Sequence, residues 1–190
     1  DTFSQVRPGH AIPDDVVARA HFLCTTYLGG AWKKAGLKDF TFKQITGGMS
    51  NLLFLVQLSP TIPSMANEPR RALLRVHCQS DIDQLLTESV VFTLLSERTL
   101  GPRLLGVFPG GRFEQFIPSR PLTCDEISLD RLIVKIAPML ARVHSLDVPI
   151  GKEPQIINRA RQWLDKWMLT KGGRDGISMK LTKADVDPDR

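Results

Sequence analysis

Apolar residues recur at intervals of three and four between Asp14 and Leu28: Val16, Val17, Ala20, Leu23, Cys24, Tyr27 and Leu28. That spacing lays them along one stripe of an α-helix. Pro13 precedes the segment, Asp14 or Asp15 is placed to cap it, and Gly29-Gly30 stops it. The period then changes. Phe40, Phe42 and Ile45 roughly alternate and predict a strand. Leu52 to Leu58 is a second run of strand length, and Arg71 to Cys78, built on Ala72-Leu73-Leu74-Arg75-Val76, is a third. Pro60, Pro63 and Pro69 make residues 59–69 a loop.

Helical spacing returns over residues 82–98, with Ile82, Leu85, Leu86, Phe92 and Leu95 on the expected buried stripe and Gly101-Pro102 beyond its end. Arg103 to Phe108 and Arg112 to Ile117 read as two strands joined by Pro109-Gly110-Gly111, a hairpin signal. Thr123 and Glu126 have the spacing of a capping box. The helix it opens carries Leu129, Ile133, Ile136, Leu140 and Val143, with a kink predicted at Pro138. Residues 156–169 predict another helix, with Ile156, Ile157, Trp163, Leu164 and Trp167 on its apolar side. Residues 170–190 are polar and charged and predict a loose tail. The order helix, β-β-β-α-β-β, then helices is α+β: an antiparallel sheet of about five strands followed by helical structure.

Composition narrows the function classes. A chain of 190 residues with 42% hydrophobic and 24% charged residues is long enough to bury a core unaided. No apolar run approaches the ~20 residues that span a bilayer, and Asp1-Thr2-Phe3-Ser4 lacks the basic and apolar regions of a signal peptide. A cytoplasmic location is the expectation. Cys24, Cys78 and Cys124 are far apart without a Cys-x-x-Cys pair and read as free thiols. The four histidines lack metal-ligand spacing. The net charge is +5, but no dense basic block with interleaved aromatics is present, so no nucleic-acid partner is expected.

Three stretches carry candidate chemistry. Thr46-Gly47-Gly48-Met49-Ser50-Asn51 joins two predicted strands. Its glycines let a backbone approach a phosphate closely, and Ser50 and Asn51 add donors. It is neither a Gly-Lys-Ser/Thr phosphate loop nor a dinucleotide fingerprint, because a strand follows it rather than a helix. Taken alone it is equally a hairpin turn. Arg75 on a strand is followed thirteen residues later by Glu88 on a helix. A strand cation under a glycine turn can hold phosphate oxygens with its fork, and a helix carboxylate can steady it; the same two residues also read as an ordinary surface salt bridge. Glu114-Gln115-Phe116-Ile117-Pro118-Ser119-Arg120-Pro121 runs a strand into two prolines before a helix. Prolines end strand pairing and leave backbone groups free, as a hinge that reads a purine edge requires. A simple linker has the same composition.

In this order the three stretches resemble the choline/ethanolamine kinases, a branch of the protein-kinase-like phosphotransferases. The carrying residues are Gly47-Gly48-Met49-Ser50-Asn51-Leu52-Leu53-Phe54, Leu73-Leu74-Arg75, Glu88-Ser89-Val90-Val91-Phe92, and the run from Ser96 to Phe108 that continues through Glu114 to Leu122. Ala141-Arg142-Val143-His144-Ser145-Leu146 is similar to the helix before the catalytic loop of the related aminoglycoside kinases. The resemblance covers about residues 20–168. It implies a kinase-like N-lobe over 1–116, a hinge at 117–121, the first helices of an α-helical C-lobe over 122–169, and a tail from 170.

The resemblance also implies ATP-dependent phosphorylation of choline, with Mg²⁺, as the first step of phosphatidylcholine synthesis, by a homodimer. ATP is then expected on Thr46, Gly47, Gly48, Met49, Ser50, Asn51, Leu52, Arg75, Gln115, Phe116, Ile117, Pro118, Ser119, Arg120 and Pro121. Glu88 would support Arg75, and Gly48, Met49 and Ser50 would lie near the choline end. The family's His-Asn-Asp-x-x-x-x-Asn catalytic loop and its Asp-Phe-Glu metal-binding segment do not occur in these 190 residues. Neither His144-Ser145-Leu146-Asp147 nor the alternating Asp185, Asp187 and Asp189 replaces them. No catalytic or metal-binding residue is therefore expected in the chain, which reads as a fragment, a truncated form or an incomplete gene product, inactive alone. Two other readings stay open: a non-catalytic partner that dimerises with a full-length kinase and regulates it, and another small-molecule kinase of the same fold. Choline against ethanolamine is not decided by these residues.

Overall fold

Alternation along two strands organises the structure. In β2 (Asn51–Leu58) Phe54, Val56 and Leu58 are buried; in β3 (Arg71–His77) Ala72, Leu74 and Val76 are. Successive side chains of a strand point to opposite faces, so these six share one face of the sheet. β1 (Phe40–Ile45) pairs with β2, and β3 pairs with β5 (Gly111–Gln115), which pairs with β4 (Leu104–Phe108). The order is β1-β2-β3-β5-β4, antiparallel throughout. A register shift between Leu104 and Gly106 interrupts the last pairing. This computed structural model describes residues 2–7, 10–45, 51–65, 67–77, 82–151 and 154–169. The expected glycine turn at residues 46–50, Cys78 and the tail from residue 170 lie outside them.

Helix α1 (Asp14–Tyr27) covers the buried face. Val16, Ala20, Leu23 and Cys24 follow the helical spacing and are all buried. They form one core with Trp32, Phe54, Leu74 and Phe113. A short 3-10 turn at Thr2–Gln5 adds Phe3, whose ring centroid lies 5.9 Å from that of Phe54. Burying each large apolar side chain contributes ~1.5–3 kcal/mol. Trp32 is 1% exposed, and its indole N–H donates to the Pro69 carbonyl at 2.7 Å. The aspartates do not cap α1. Pro13 occupies that position with no side-chain cap bond, and Asp14 and Asp15 lie in the first turn, where carboxylates complement the helix dipole. The helix ends as expected, with Gly29 at φ 67° and Gly30 at φ 52° in the left-handed region.

Helix α2 (Ile82–Glu97) leaves Leu86 60% exposed, against the stripe expected from the sequence. Leu85, 100° away around the helix, is half-buried, so the stripe of α2 includes Leu85 and stops short of Leu86. The β4–β5 hairpin turns at Pro109-Gly110, where Gly110 has φ 89°, and Gly111 already belongs to β5. A Cβ on Gly111 would meet the Arg75 carbonyl oxygen at 2.3 Å, so the close approach of β5 to β3 requires glycine there.

Where one kinked helix was expected after Thr123, there are two. The capping box is formed: the Thr123 hydroxyl accepts from the Glu126 N–H, and the Glu126 carboxylate accepts from the Thr123 N–H. But α3 (Cys124–Ile127) lasts one turn, and the Ser128 hydroxyl donates to the Asp125 carbonyl at 2.8 Å. Such side-chain bonds to nearby backbone compete with helix continuation. α4 (Asp130–His144) then carries Pro138 within it and leaves Ile133, Ile136, Met139 and Leu140 43–64% exposed. The chain divides into two compact units between Val148 and Pro149. In the second, α5 (Ile156–Met168) is amphipathic, with Trp163 and Leu164 exposed. Among the described residues no helix is long and apolar enough to cross a membrane.

Candidate active site

The sheet face away from α1 carries the odd-numbered residues of β2 and β3. Register places Leu53 beside Arg75 and Arg75 beside Arg112; one step along, Leu55 is beside Leu73 and Leu73 beside Glu114. Ile45 pairs with Leu53 at the edge of this face. Together with the chain after β5, these residues enclose a cavity of about 530 Å³ lined by Ile45, Leu53, Leu73 and Pro102 and by residues 114–117 and 119–121. On the sheet side Ile45, Leu53 and Leu73 are apolar and Glu114 is charged. The Gln115 N–H is taken by the Arg103 carbonyl at 2.8 Å. The Ser119 hydroxyl donates to the Ile117 carbonyl at 3.2 Å. Among the described residues no acceptor takes the Ile117 N–H, and Pro118 has none to offer.

One residue beyond Leu73 on the same face, Arg75 enters a charged network. Its Nε–H donates to Glu114 Oε1 at 2.6 Å. Arg112 Nε–H donates to the same oxygen at 2.7 Å, and Arg112 Nη1 donates to Glu88 Oε1 at 3.1 Å. The Arg112 guanidinium also lies 4.2 Å from the centroid of the Phe92 ring. Arg112 and Glu114 are only 4% and 2% exposed. Buried charges persist where partners and hydrogen bonds surround them, and each of these has both. At the far end of the face His77 Nδ1 lies 3.1 Å from Asn51 Oδ1. Burial lowers the His77 pKa, with the Glu88 carboxylate pulling the other way.

The sequence reading paired Arg75 with Glu88. The structure places Glu88 on Arg112 instead and gives Arg75 to Glu114. The reason is register: Glu114 is the diagonal cross-strand neighbour of Arg75, and rigid strands hold such neighbours within reach. Leu52 also differs from expectation. It faces the core, and Leu53 lines the cavity in its place. Gln115, Phe116, Ile117, Ser119, Arg120 and Pro121 do meet at the cavity. The Arg120 guanidinium itself is bidentate on Glu126, at 2.6 and 2.7 Å. Asn51 is on the cavity side of the sheet but bonds His77, while Thr46, Gly47, Gly48, Met49 and Ser50 lie outside the described residues.

The sequence reading missed Arg112, Glu114 as a charge partner, and the apolar walls Ile45, Leu53 and Leu73. A signal existed: Arg112 and Glu114 are opposite charges two apart in a predicted strand, hence on one face. The arrangement can sandwich a flat heteroaromatic ring between apolar side chains and the hinge, with the Ile117 N–H as donor and Arg75 further along for an anionic group. No cluster of three His, Cys, Asp or Glu able to hold a metal ion occurs among the described residues.

Comparison with known proteins gives this geometry a lineage. A family model described as choline/ethanolamine kinase matches residues 42–187. Choline kinase A2 of Caenorhabditis elegans is 54% identical over 148 residues, which are 77% of this chain and 34% of that protein. The choline/ethanolamine kinase of Homo sapiens is 42% identical over 156 residues, 81% of this chain and 40% of that protein. The chain thus spans 34–40% of the length of these relatives. Among solved structures, choline kinase from Cryptosporidium parvum superposes with TM-score 0.61 at 24% identity, over 79% of this chain and 42% of that one. An ethanolamine kinase from Plasmodium vivax superposes with TM-score 0.62 at 15% identity, over 88% and 48%. At that identity the two structures establish the protein-kinase-like fold. With the family match across most of the sheet, the hinge and the helices that follow, this chain belongs to the choline/ethanolamine kinase family.

Proposed function

We propose that the chain is the nucleotide-binding part of a choline or ethanolamine kinase, in which 1–116 form the N-lobe, 117–121 the hinge and 122–169 the start of the helical lobe. The observation that carries this is the 530 Å³ cavity, with apolar strand residues facing an unused Ile117 N–H and Arg75 beyond them. Ile45, Leu53 and Leu73 would flank the adenine of ATP, Ile117 would donate to its edge, and Arg75 would meet the phosphates. Bound there, ATP supplies the phosphoryl group that the family transfers to an alcohol. The chain's own residues orient the nucleotide and exclude water from one side of it. Thr46 to Asn51 would cover the phosphates, with Gly48, Met49 and Ser50 toward the alcohol.

The 190 residues hold neither the catalytic loop nor the metal-binding segment of the family, and the described residues offer no cation cluster. We therefore assign them binding, and derive no step through Mg²⁺. For the whole protein of which these residues would be part, we propose transfer to choline or ethanolamine with Mg²⁺, a cytoplasmic setting in phospholipid synthesis and a dimeric assembly, each supported by family membership. The exposed apolar face of α4 supports an assembly with further helical structure.

The test is calorimetric titration of the chain with ATP and ADP, beside an assay for ATP-dependent phosphorylation of choline and ethanolamine with Mg²⁺. Saturable nucleotide binding without turnover is expected, and Leu53→Trp, which fills the cavity, should abolish binding. Absence of binding, or binding indifferent to Leu53→Trp, overturns the site. Turnover overturns the assignment of binding without transfer.

A further inference from the structure

A second cavity, of about 280 Å³, shares Gln115 and Phe116 with the first and is walled also by Asn67, Arg70, Arg71 and Arg103. Three arginines line it, and no aspartate or glutamate does. Among the described residues none of the three arginines forms an ion pair. Arg70 is anchored by Nη2, which donates to the Ser59 carbonyl, while its Nη1 is buried and meets no acceptor. Arg71 lies over the Phe116 ring, 5.3 Å from the centroid. The Arg103 backbone N–H donates to Gln115 Oε1 at 3.2 Å, which ties this wall to the hinge.

Two features need one explanation. Buried charged donors in folded proteins nearly always have an acceptor, and a lone exception points to a bound water or ion. Like charges gathered around one small cavity repel unless an anion lies among them. We propose that this cavity binds a phosphate-class dianion, either inorganic phosphate or the phosphate of a small monoester. The guanidinium fork matches phosphate oxygens, and the exposed Arg71 and Arg103 can turn theirs toward an anion in the cavity. Leu105 and Phe116 supply an apolar wall for the carbon part of an ester.

Trp32 reports on the site, because its indole N–H donates to Pro69 and Pro69 lines the cavity. The experiment follows that indole signal in ¹H–¹⁵N spectra of the intact chain during titration with sodium phosphate and with glycerol 3-phosphate. Sodium chloride at matched ionic strength is the reference. Both phosphates should shift the signal saturably and chloride should not. Arg71→Gln and Arg103→Gln replace exposed side chains and leave the core alone. Each should weaken binding by about tenfold, the effect of one charge-assisted hydrogen bond. Arg98→Gln, which removes an exposed arginine outside both cavities, should leave the response unchanged. Tighter binding of the ester identifies a monoester as the ligand, and equal binding identifies the free ion. The proposal is overturned if neither anion gives a saturable shift, if chloride does the same, if both cavity variants respond like the wild type, or if Arg98→Gln abolishes the shift.

Discussion

Arg75 and Arg112, register neighbours on β3 and β5, converge on one atom: Glu114 Oε1 lies 2.6 Å from Arg75 Nε and 2.7 Å from Arg112 Nε. A single buried carboxylate thus holds two guanidiniums, and Arg112 relays the contact to Glu88 on α2. Removing the hub leaves Arg112 buried with only the longer contact to Glu88. Glu114→Gln should cost about 3–5 kcal/mol, as broken buried pairs do. Glu88 is 37% exposed and its loss leaves Arg112 on Glu114, so Glu88→Gln should cost about 0–1 kcal/mol. Urea unfolding of both variants measures the difference, and equal losses would refute the hub.

The same network sets the expectation for nucleotide. Arg75 is the member on the cavity face beside Leu73, and 23% of its side chain is exposed. Arg75→Ala should weaken ATP binding by about tenfold or more, the effect of losing one charge-assisted hydrogen bond. Glu88→Ala should have a smaller effect, since Glu88 reaches Arg75 only through Arg112 and Glu114. Calorimetry giving one affinity for wild type and both variants would remove Arg75 from the site.

At the start of the helical segment Arg120 grips Glu126 with both nitrogens, and this hydrogen bond, helped by the Thr123 N–H, holds the Glu126 carboxyl down at about 2. The folded value lies below the ordinary 4.5. Its contribution to α3 is therefore complete above about 4.5 and is lost as the pH falls through about 2. A carbon-detected NMR titration should find the Glu126 midpoint near 2. Arg120→Ala should return it toward the ordinary value. A midpoint that ignores Arg120→Ala would assign the depression to the capping bond alone.

Cys24 and Cys124 should differ sharply toward a thiol reagent. Burial in the core pushes Cys24 up to about 12, while Cys124 is exposed at the first residue of α3. The thiolate is the reactive form. In a Cys78→Ser background at mildly alkaline pH, one equivalent of reagent should be consumed quickly, and Cys124→Ser should abolish that phase. Fast labelling of Cys24 would mean that α1 opens from the sheet.

The strands and the turn between the last two were legible because alternation and glycine act locally. Phe54, Val56, Leu74 and Gly110 each declare their role within a few residues of chain. What escaped depends on register or on competition. Nothing near Glu88 indicates that Arg112 will claim it; that follows from β5 lying beside β3. The break falls at Leu129, whose backbone turns extended at ψ 122° although the apolar stripe runs on past it. Leu52 is expected at ATP from the family resemblance, whereas the pleat turns its side chain to the core and sends Leu53 to the cavity.

The central strands are apolar on both sides: Phe54, Val56 and Leu74 toward α1, and Leu53, Leu55 and Leu73 toward the cavity. In a strand with one oily and one wet side, a slip by a single residue is punished at every position. Here that penalty is largely absent, since sliding β2 past β3 would exchange leucines for phenylalanine and valine. Correct alignment must then be enforced by groups that tolerate no substitute. The side-chain bond between Asn51 on β2 and His77 on β3 is such a contact, and the Arg75–Glu114–Arg112 cluster with Gly111 fixes β3 on β5 in the same way. They act as alignment pins, and losing one should populate misaligned, aggregation-prone sheets before it loosens the core.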